Sequence, residues 1–336
     1  MGSRNLHAEP FDENTIAKLE LFEAYTEAFV SIFSVMHNEW AIEYHIYDFF
    51  AGTGYDKDGV PGSPIRILKQ IEDQFSELKE YGKSVYFLAN EYKKQKYDLL
   101  ARSCNEFLQS SERLLDLKQS NRLRVEYRND SFQNLFEGFK NEIHSAPSLV
   151  FIDQNGIEFL NDKYLHFFLS TLGTDFLYFA SSSYIKRFGD TPEFAKHLNF
   201  DLDPIRNADV NFVHQALCDT LREKVRTELP DAKVWLYPFS IKKGNNVYGI
   251  IFGTHHELGI DKFMEVAWRH NGLNGEANFD LYDDAPKSQL SLFSNEELDT
   301  ISKIERLERD VKQKLLEGEI GNNRELLIFD HENSHP

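Results

Sequence analysis

Tyr47-Asp48-Phe49-Phe50-Ala51-Gly52-Thr53-Gly54 decides the fold of this chain. The run before it, residues 41–50 (AIEYHIYDFF), is rich in Ile, Tyr and Phe and reads as a β-strand. An acid closes the strand, and two glycines follow two residues apart. Glycine takes positive φ at low cost and lets a ligand approach the backbone closely. A strand, an acid and a glycine turn in that order, at the head of an alternating series, mark the exit of a first strand. In an open α/β sheet, ligands bind outside such carboxyl ends.

Working outward, the alternation persists. Upstream, Asn14 to Val35 carries Ile16, Leu19, Phe22, Phe29, Ile32 and Phe33 at helical spacing, with Asn14 or Thr15 as the cap. Downstream, Ser63-Pro64 predicts a helix start, Ser as N-cap and Pro first in the helix, running to Leu78. Strands follow at Lys83–Ala89, Arg122–Tyr127, Leu149–Asp153 and Asp175–Ala180, alternating with helices at Tyr92–Leu117, Ser131–Ile143 and Asp162–Leu172. That pattern predicts an α/β fold with a Rossmann-like, doubly wound, mostly parallel sheet. Val210–Glu228 reads as a helix. Lys233–Ile241 and Val247–Thr254 read as strands of an antiparallel edge hairpin across KKGNN. Gly259–His270 is helical, and Asn295–Glu317 is a charged helix with one narrow apolar seam. Arg324–Phe329 reads as a short strand. The expected organisation is an N-terminal helical segment over 1–38, a Rossmann domain over 39–270 with an insertion near 182–208, a linker over 271–290 and a helical appendage over 291–336.

The chain has 336 residues, 37 basic and 55 acidic, for a net charge of −18. A hydrophobic fraction of 41% supports a substantial core, so disorder throughout is excluded. The acidic balance argues against loose nucleic-acid binding over a broad basic face, while a local basic patch stays open. Two cysteines, Cys104 and Cys218, are too few for a disulfide scaffold and read as free thiols of a reducing compartment. No apolar run has the length of a signal or a membrane span, so the expectation is a soluble, cytoplasmic protein with no membrane association.

Other clusters have plainer readings. His255-His256-Glu257 lacks the H-E-x-x-H spacing, so no metal site is expected. Ser181-Ser182-Ser183 can face a substrate but lacks the G-x-S-x-G elbow of a hydrolase. Lys186, Arg187 and Arg206 form either a local anion site or a solvated loop. Lys93-Lys94-Gln95-Lys96 reads as an exposed helix face.

The stretch YDFFAGTG resembles motif I of the class I S-adenosylmethionine-dependent methyltransferases. The resemblance implies S-adenosylmethionine as cofactor, with Asp48, Phe49, Ala51, Gly52 and Gly54 around its methionine and ribose. An acid after the second strand holds the ribose hydroxyls in that family, and Glu91, after VYFLAN, matches; the plain alternative is a solvated acid at a helix start. Asn129 and Asp130, after the third strand, are the candidates for the adenine contact, with Asp130 preferred; the plain alternative for Asp130 is to cap the next helix. Asp153, closing the fourth strand, corresponds to motif IV at the reacting methyl group, where a catalytic role and a turn role both stay open.

A narrower resemblance covers residues 14 to 270. KLELFEAYTEAF at 18–29, YDFFAGTG, GSPIRIL at 62–68, FIDQNG at 151–156 and YGIIFGTHHELGIDKFMEVAW at 248–268 occur in the order found in the three-Cys-motif partner proteins. That family implies a bacterial partner of a radical-SAM-like protein with a three-cysteine motif, and points to nucleic-acid modification or antiphage defence. Gln154-Asn155 departs from the family at motif IV, where proline and an aromatic residue are commoner. It is also not the D-P-P-Y type of tetrapeptide that grips a flipped base. Two functions follow: a methyltransferase of unassigned acceptor, or a non-catalytic binding module of the same fold.

Overall fold

The structure is a computed structural model that describes residues 10–37, 39–154, 162–189, 191–192, 200–278, 281 and 303–332. Five strands alternate with helices: β1 (Glu43–Asp48), β2 (Ser84–Asn90), β3 (Leu123–Arg128), β4 (Ser148–Ile152) and β5 (Thr174–Ala180). β1 pairs in parallel with β2 and with β4, β2 with β3, and β4 with β5. β6 (Trp235–Lys243) and β7 (Asn246–Thr254) form an antiparallel hairpin, and the strand order is β3-β2-β1-β4-β5-β7-β6. The expected doubly wound sheet with an antiparallel edge is therefore the observed one. Strands β1, β2 and β4 are buried almost throughout, as parallel strands covered on both faces must be, and β2 and β4 are apolar apart from their end residues.

The chain divides into two compact units, Met1–Asn155 with Ser170–Tyr178, and Gly156–Leu169 with Phe179–Pro336. In the first unit, α1 (Glu13–Val35) lies against β4 through Phe22, whose ring stacks on Phe151 with centroids 4.1 Å apart. Its cap is Asp12, not Asn14 or Thr15: one carboxylate oxygen accepts from both the N–H and the hydroxyl of Thr15, each at 2.9 Å. α2 (Ser63–Asp73) begins from Gly62 rather than from a Ser63 cap, because the Ser63 hydroxyl is used elsewhere. α3 (Phe75–Glu80) follows it. The single helix expected over 92–117 is two, α4 (Lys94–Ser110) and α5 (Glu112–Gln119). Ser111 makes the break: its hydroxyl accepts from Leu114 N–H at 3.2 Å and donates to Glu72 at 2.6 Å. α6 (Phe132–Ser145) is capped by Ser131.

In the second unit, the hairpin turns at Gly244-Asn245. Gly244 has the positive φ of 58° that a two-residue type II′ turn needs at its first position. Ser182 and Ser183 do not form an open loop; they start the helix Ser182–Phe188 and are buried. Ser182 shares a 2.7 Å hydrogen bond with His214 Nδ1, while Nε2 of the same ring bonds Ile250 O. Ser183 accepts from Val247 N–H at 2.7 Å. Both serines are structural. Of the expected insertion, residues 190 and 193–199 lie outside the described residues, and Asp203–Asn207 is a short helix. The charged helix spans Lys303–Glu317, and 295–302 lie outside the described residues. The strand expected over 324–329 is instead a helix, Asn323–Glu332. Among the described residues, no helix is long and apolar enough to cross a membrane.

Candidate functional site

The carboxyl ends of β1, β2, β3 and β4 bring together the acids expected from sequence. Asp48 closes β1 and is fully buried. Its Oδ2 accepts from the Ser63 hydroxyl at 2.6 Å, and its Oδ1 from Phe50 N–H at 3.2 Å. Burial pushes its pKa up to about 7, partly opposed by those two donors; Asp153 raises it further and Lys18 lowers it. With both oxygens engaged internally, Asp48 braces the glycine turn from beneath. Phe49 and Ala51 are buried too, Phe49 edge-on to Phe132 at 5.2 Å, so their share in a site is through the backbone.

The turn itself is held open by geometry that needs glycine. Gly52 and Gly54 have φ of 68° and 89°. A Cβ on Gly54 would stand 2.8 Å from Ser103 Cβ on α4. Ser103 holds the turn by donating to Thr53 O at 3.0 Å, and Gly62 N–H donates to Gly54 O at 2.8 Å. The N–H groups of Gly52, Thr53 and Gly54 have no acceptor among the described residues. Three successive donors of this kind form a concave cradle for an acceptor or an anion.

Glu91 stands at the end of β2, half-buried, and burial raises its pKa against the pull of Lys93 N–H, Lys96 and Lys93. Its Oε1 accepts from Lys93 N–H at 2.7 Å, whereas Oε2 has no hydrogen bond among the described residues. Asp130, after β3, uses Oδ1 for Ser131 N–H at 2.7 Å and Asn134 Nδ2 at 2.9 Å; it does not cap α6, whose cap is Ser131. Asp153, beyond β4, forms an ion pair with Lys18 of α1.

Two residues essential to this arrangement escaped the sequence reading. Asn90 is the first. It is buried at the last position of β2, where its Nδ2 donates to Phe49 O at 3.0 Å and Asp130 O at 3.1 Å. Its Oδ1 accepts from Asp130 N–H at 3.1 Å, and its backbone O accepts from Ala51 N–H at 2.8 Å. One amide thus ties three strand ends together. The signal was a polar residue closing an otherwise apolar strand. Lys18 is the second; a lysine one turn before Phe22, on the stripe that packs on the sheet, was its signal.

The other clusters do not assemble. Lys186 donates to Ala208 O, Arg187 to Ser183 O and Asn246, and Arg206 pairs with Asp203 at 2.8 Å, so each cation has its own partner. Lys94 pairs with Asp98. His255 Nε2 bonds Leu169 O, and His256 caps the helix Glu257–His270. Among the described residues, no three His, Cys, Asp or Glu side chains gather as a metal would need.

No family model matches the chain, and no curated protein matches it. Among solved structures it is similar to an O-methyltransferase from Bacillus cereus in complex with SAH, at 15% identity and a TM-score of 0.35, over 70% of this chain and 80% of that one. It is also similar to a loganic acid methyltransferase with SAH, at 11% identity and a TM-score of 0.32, over 88% and 94%. A human methyltransferase 10 domain containing protein gives 10% identity and a TM-score of 0.31, over 71% and 83%. The fold class of this chain, a doubly wound α/β sheet with an antiparallel edge, rests on its own strand order and pairings.

Proposed function

We propose that the carboxyl edge of the sheet binds S-adenosylmethionine and that the chain is an S-adenosylmethionine-dependent methyltransferase. One observation carries the reading. The N–H groups of Gly52, Thr53 and Gly54 lack acceptors among the described residues in a turn whose residues are otherwise buried. Such donors are costly to leave without a partner, so the turn is built to receive an acceptor group. Glu91 supports it by offering one carboxylate oxygen to a hydroxyl pair. When bound, S-adenosylmethionine supplies a methyl group on a sulfonium: the acceptor's lone pair forms the new bond to carbon and the old bond pair stays on sulfur. The protein's part is to orient the reacting groups and exclude water. Asp48 and Asn90 fix the turn, Asp130 shapes the rim beside Glu91, and Asp153 faces the reacting end.

The motif order also supports membership of the three-Cys-motif partner proteins, with a radical-SAM-like three-cysteine protein as partner. A second reading, a non-catalytic module for that partner, draws on the carboxylate of Asp153 being engaged already by Lys18. Thermal unfolding with saturating S-adenosylmethionine or S-adenosylhomocysteine tests the first reading. The melting temperature rises with either ligand, and less in Glu91→Ala. No shift with either ligand sinks it. Co-expression with the three-cysteine protein tests the second; full-length chains that never co-purify exclude it.

A further inference from the structure

We propose that Lys18 and Asp153 form a charge pair that sets how much positive charge a ligand can carry at the reacting end, making α1 a wall of the site. The proposal rests on the cofactor reading above.

Four observations converge on α1. Lys18 is only 9% exposed although it is a lysine on a helix, so its ammonium is held in place rather than swinging in solvent. It is held against Asp153, whose side chain is 24% exposed and therefore still reachable. Its place is fixed on both sides. One turn on, Phe22 stacks on Phe151 of β4; ahead of it, Phe11 N–H donates to Asp56 Oδ2 of the glycine loop at 2.8 Å. Further along, Arg66 of α2 pairs with Glu23, and Gln70 donates to Glu23 at 3.2 Å. Finally, β4 pairs directly with β1, Phe151 opposite Asp48, so the pair sits beside the strand that carries the glycine turn.

A fixed ammonium and a fixed carboxylate in a partly dry site act on charge nearby far more strongly than they would in water. The ammonium opposes a cation there and the carboxylate favours one. Positive charge leaves sulfur during methyl transfer. Lys18 therefore opposes the starting state more than the later ones, which is the sense in which a group can aid the reaction. Asp153 opposes it in sign and keeps the charged ligand bindable. Removing either residue tilts the balance in a known direction.

S-adenosylmethionine and S-adenosylhomocysteine differ by one methyl group and one positive charge. Calorimetric titration of the full chain with each gives a ratio of dissociation constants. Lys18→Met, which keeps the apolar stem, shifts that ratio severalfold towards S-adenosylmethionine. Lys18→Arg keeps the ratio of the parent, and Asp153→Asn shifts it severalfold towards S-adenosylhomocysteine. The double variant returns close to the parent. A lysine with a structural role alone lowers both affinities together and leaves the ratio still, and Asp153→Asn decides the matter if Lys18→Met does not fold. Parent protein that binds both ligands, with ratios unchanged in the variants, overturns the proposal and leaves the cofactor reading standing. Parent protein that binds neither overturns both.

Discussion

The hydroxyl of Ser63 donates to Oδ2 of Asp48 at 2.6 Å, joining the first residue of α2 to the last residue of β1 inside the core. The bond closes the loop between them and takes from Ser63 the capping role its position suggests.

This pairing has a pH signature. Burial pushes the Asp48 pKa up to about 7, against an unfolded value near 3.9. The folded state therefore prefers the protonated acid. Its stability is greatest, as far as this group goes, below the unfolded pKa. It falls as the pH rises through the interval and levels off above the folded pKa. Three pKa units correspond to about 4 kcal/mol at most. Asp48→Asn cannot ionise, so its stability varies less between pH 4 and 7 than that of the parent. Denaturant titrations of both proteins across that range measure the difference, and parallel pH curves refute the assignment.

Gly54→Ala separates two constraints on the turn. The new Cβ meets Ser103 Cβ at 2.8 Å, and φ of 89° strains any residue with a Cβ. Strain of this kind costs roughly 1–3 kcal/mol. Pairing the change with Ser103→Gly removes the clash but not the φ cost, and it deletes the Ser103–Thr53 hydrogen bond. The double variant therefore stays well below the parent in melting temperature. Full recovery would show that crowding, not backbone conformation, requires the glycine.

Asn90→Leu keeps approximate size and removes every side-chain bond across the three strand ends. Phe49 O loses a partner in a buried setting and Asp130 N–H loses one in a part-buried setting. Each such loss costs roughly 1–3 kcal/mol, so a fall of about 2–5 kcal/mol is expected by chemical denaturation. Hydrogen exchange should also quicken at Ala51, whose N–H is held by Asn90 O.

The sheet was legible because burial on both faces leaves parallel strands no choice but long apolar runs, as in Leu149–Ile152, and because the glycine turn follows the first of them. The acids were legible by their place after strands. Their employment was not. Asp48, Ser63 and Asn90 hydrogen-bond across 15 to 41 positions of chain, and nothing local in the sequence reports which distant donor a carboxylate meets. Lys18–Asp153, separated by 135 positions, shows the same at longer range. The break at Ser111 was missed for a different reason: Tyr92–Leu117 has the composition of one helix, and a single capping hydroxyl divides it. The helix Asn323–Glu332 was misread because LLIF is a short apolar run, which periodicity cannot assign.

The second unit offers a test of how its last helices are held. Of the residues expected to form a polar linker, Asn271, Asn274 and Glu276 are buried, Glu276 completely. Lys303, the first residue of the charged helix, donates to Asn274 O at 2.9 Å, with its ammonium 3.6 Å from Glu276 and 5.4 Å from the ring centre of Trp268. Glu276 also accepts from Ser240 N–H of β6. A buried carboxylate that loses its cation costs more than the pair itself is worth, typically about 3–5 kcal/mol. Lys303→Met should therefore destabilise the unit by that order and release the helix Lys303–Glu317 to limited proteolysis. Glu276→Gln together with Lys303→Met removes both charges and keeps an acceptor for Ser240 N–H, so it should recover much of the loss. Equal loss in the single and double variants would assign the anchoring to packing of the lysine stem instead.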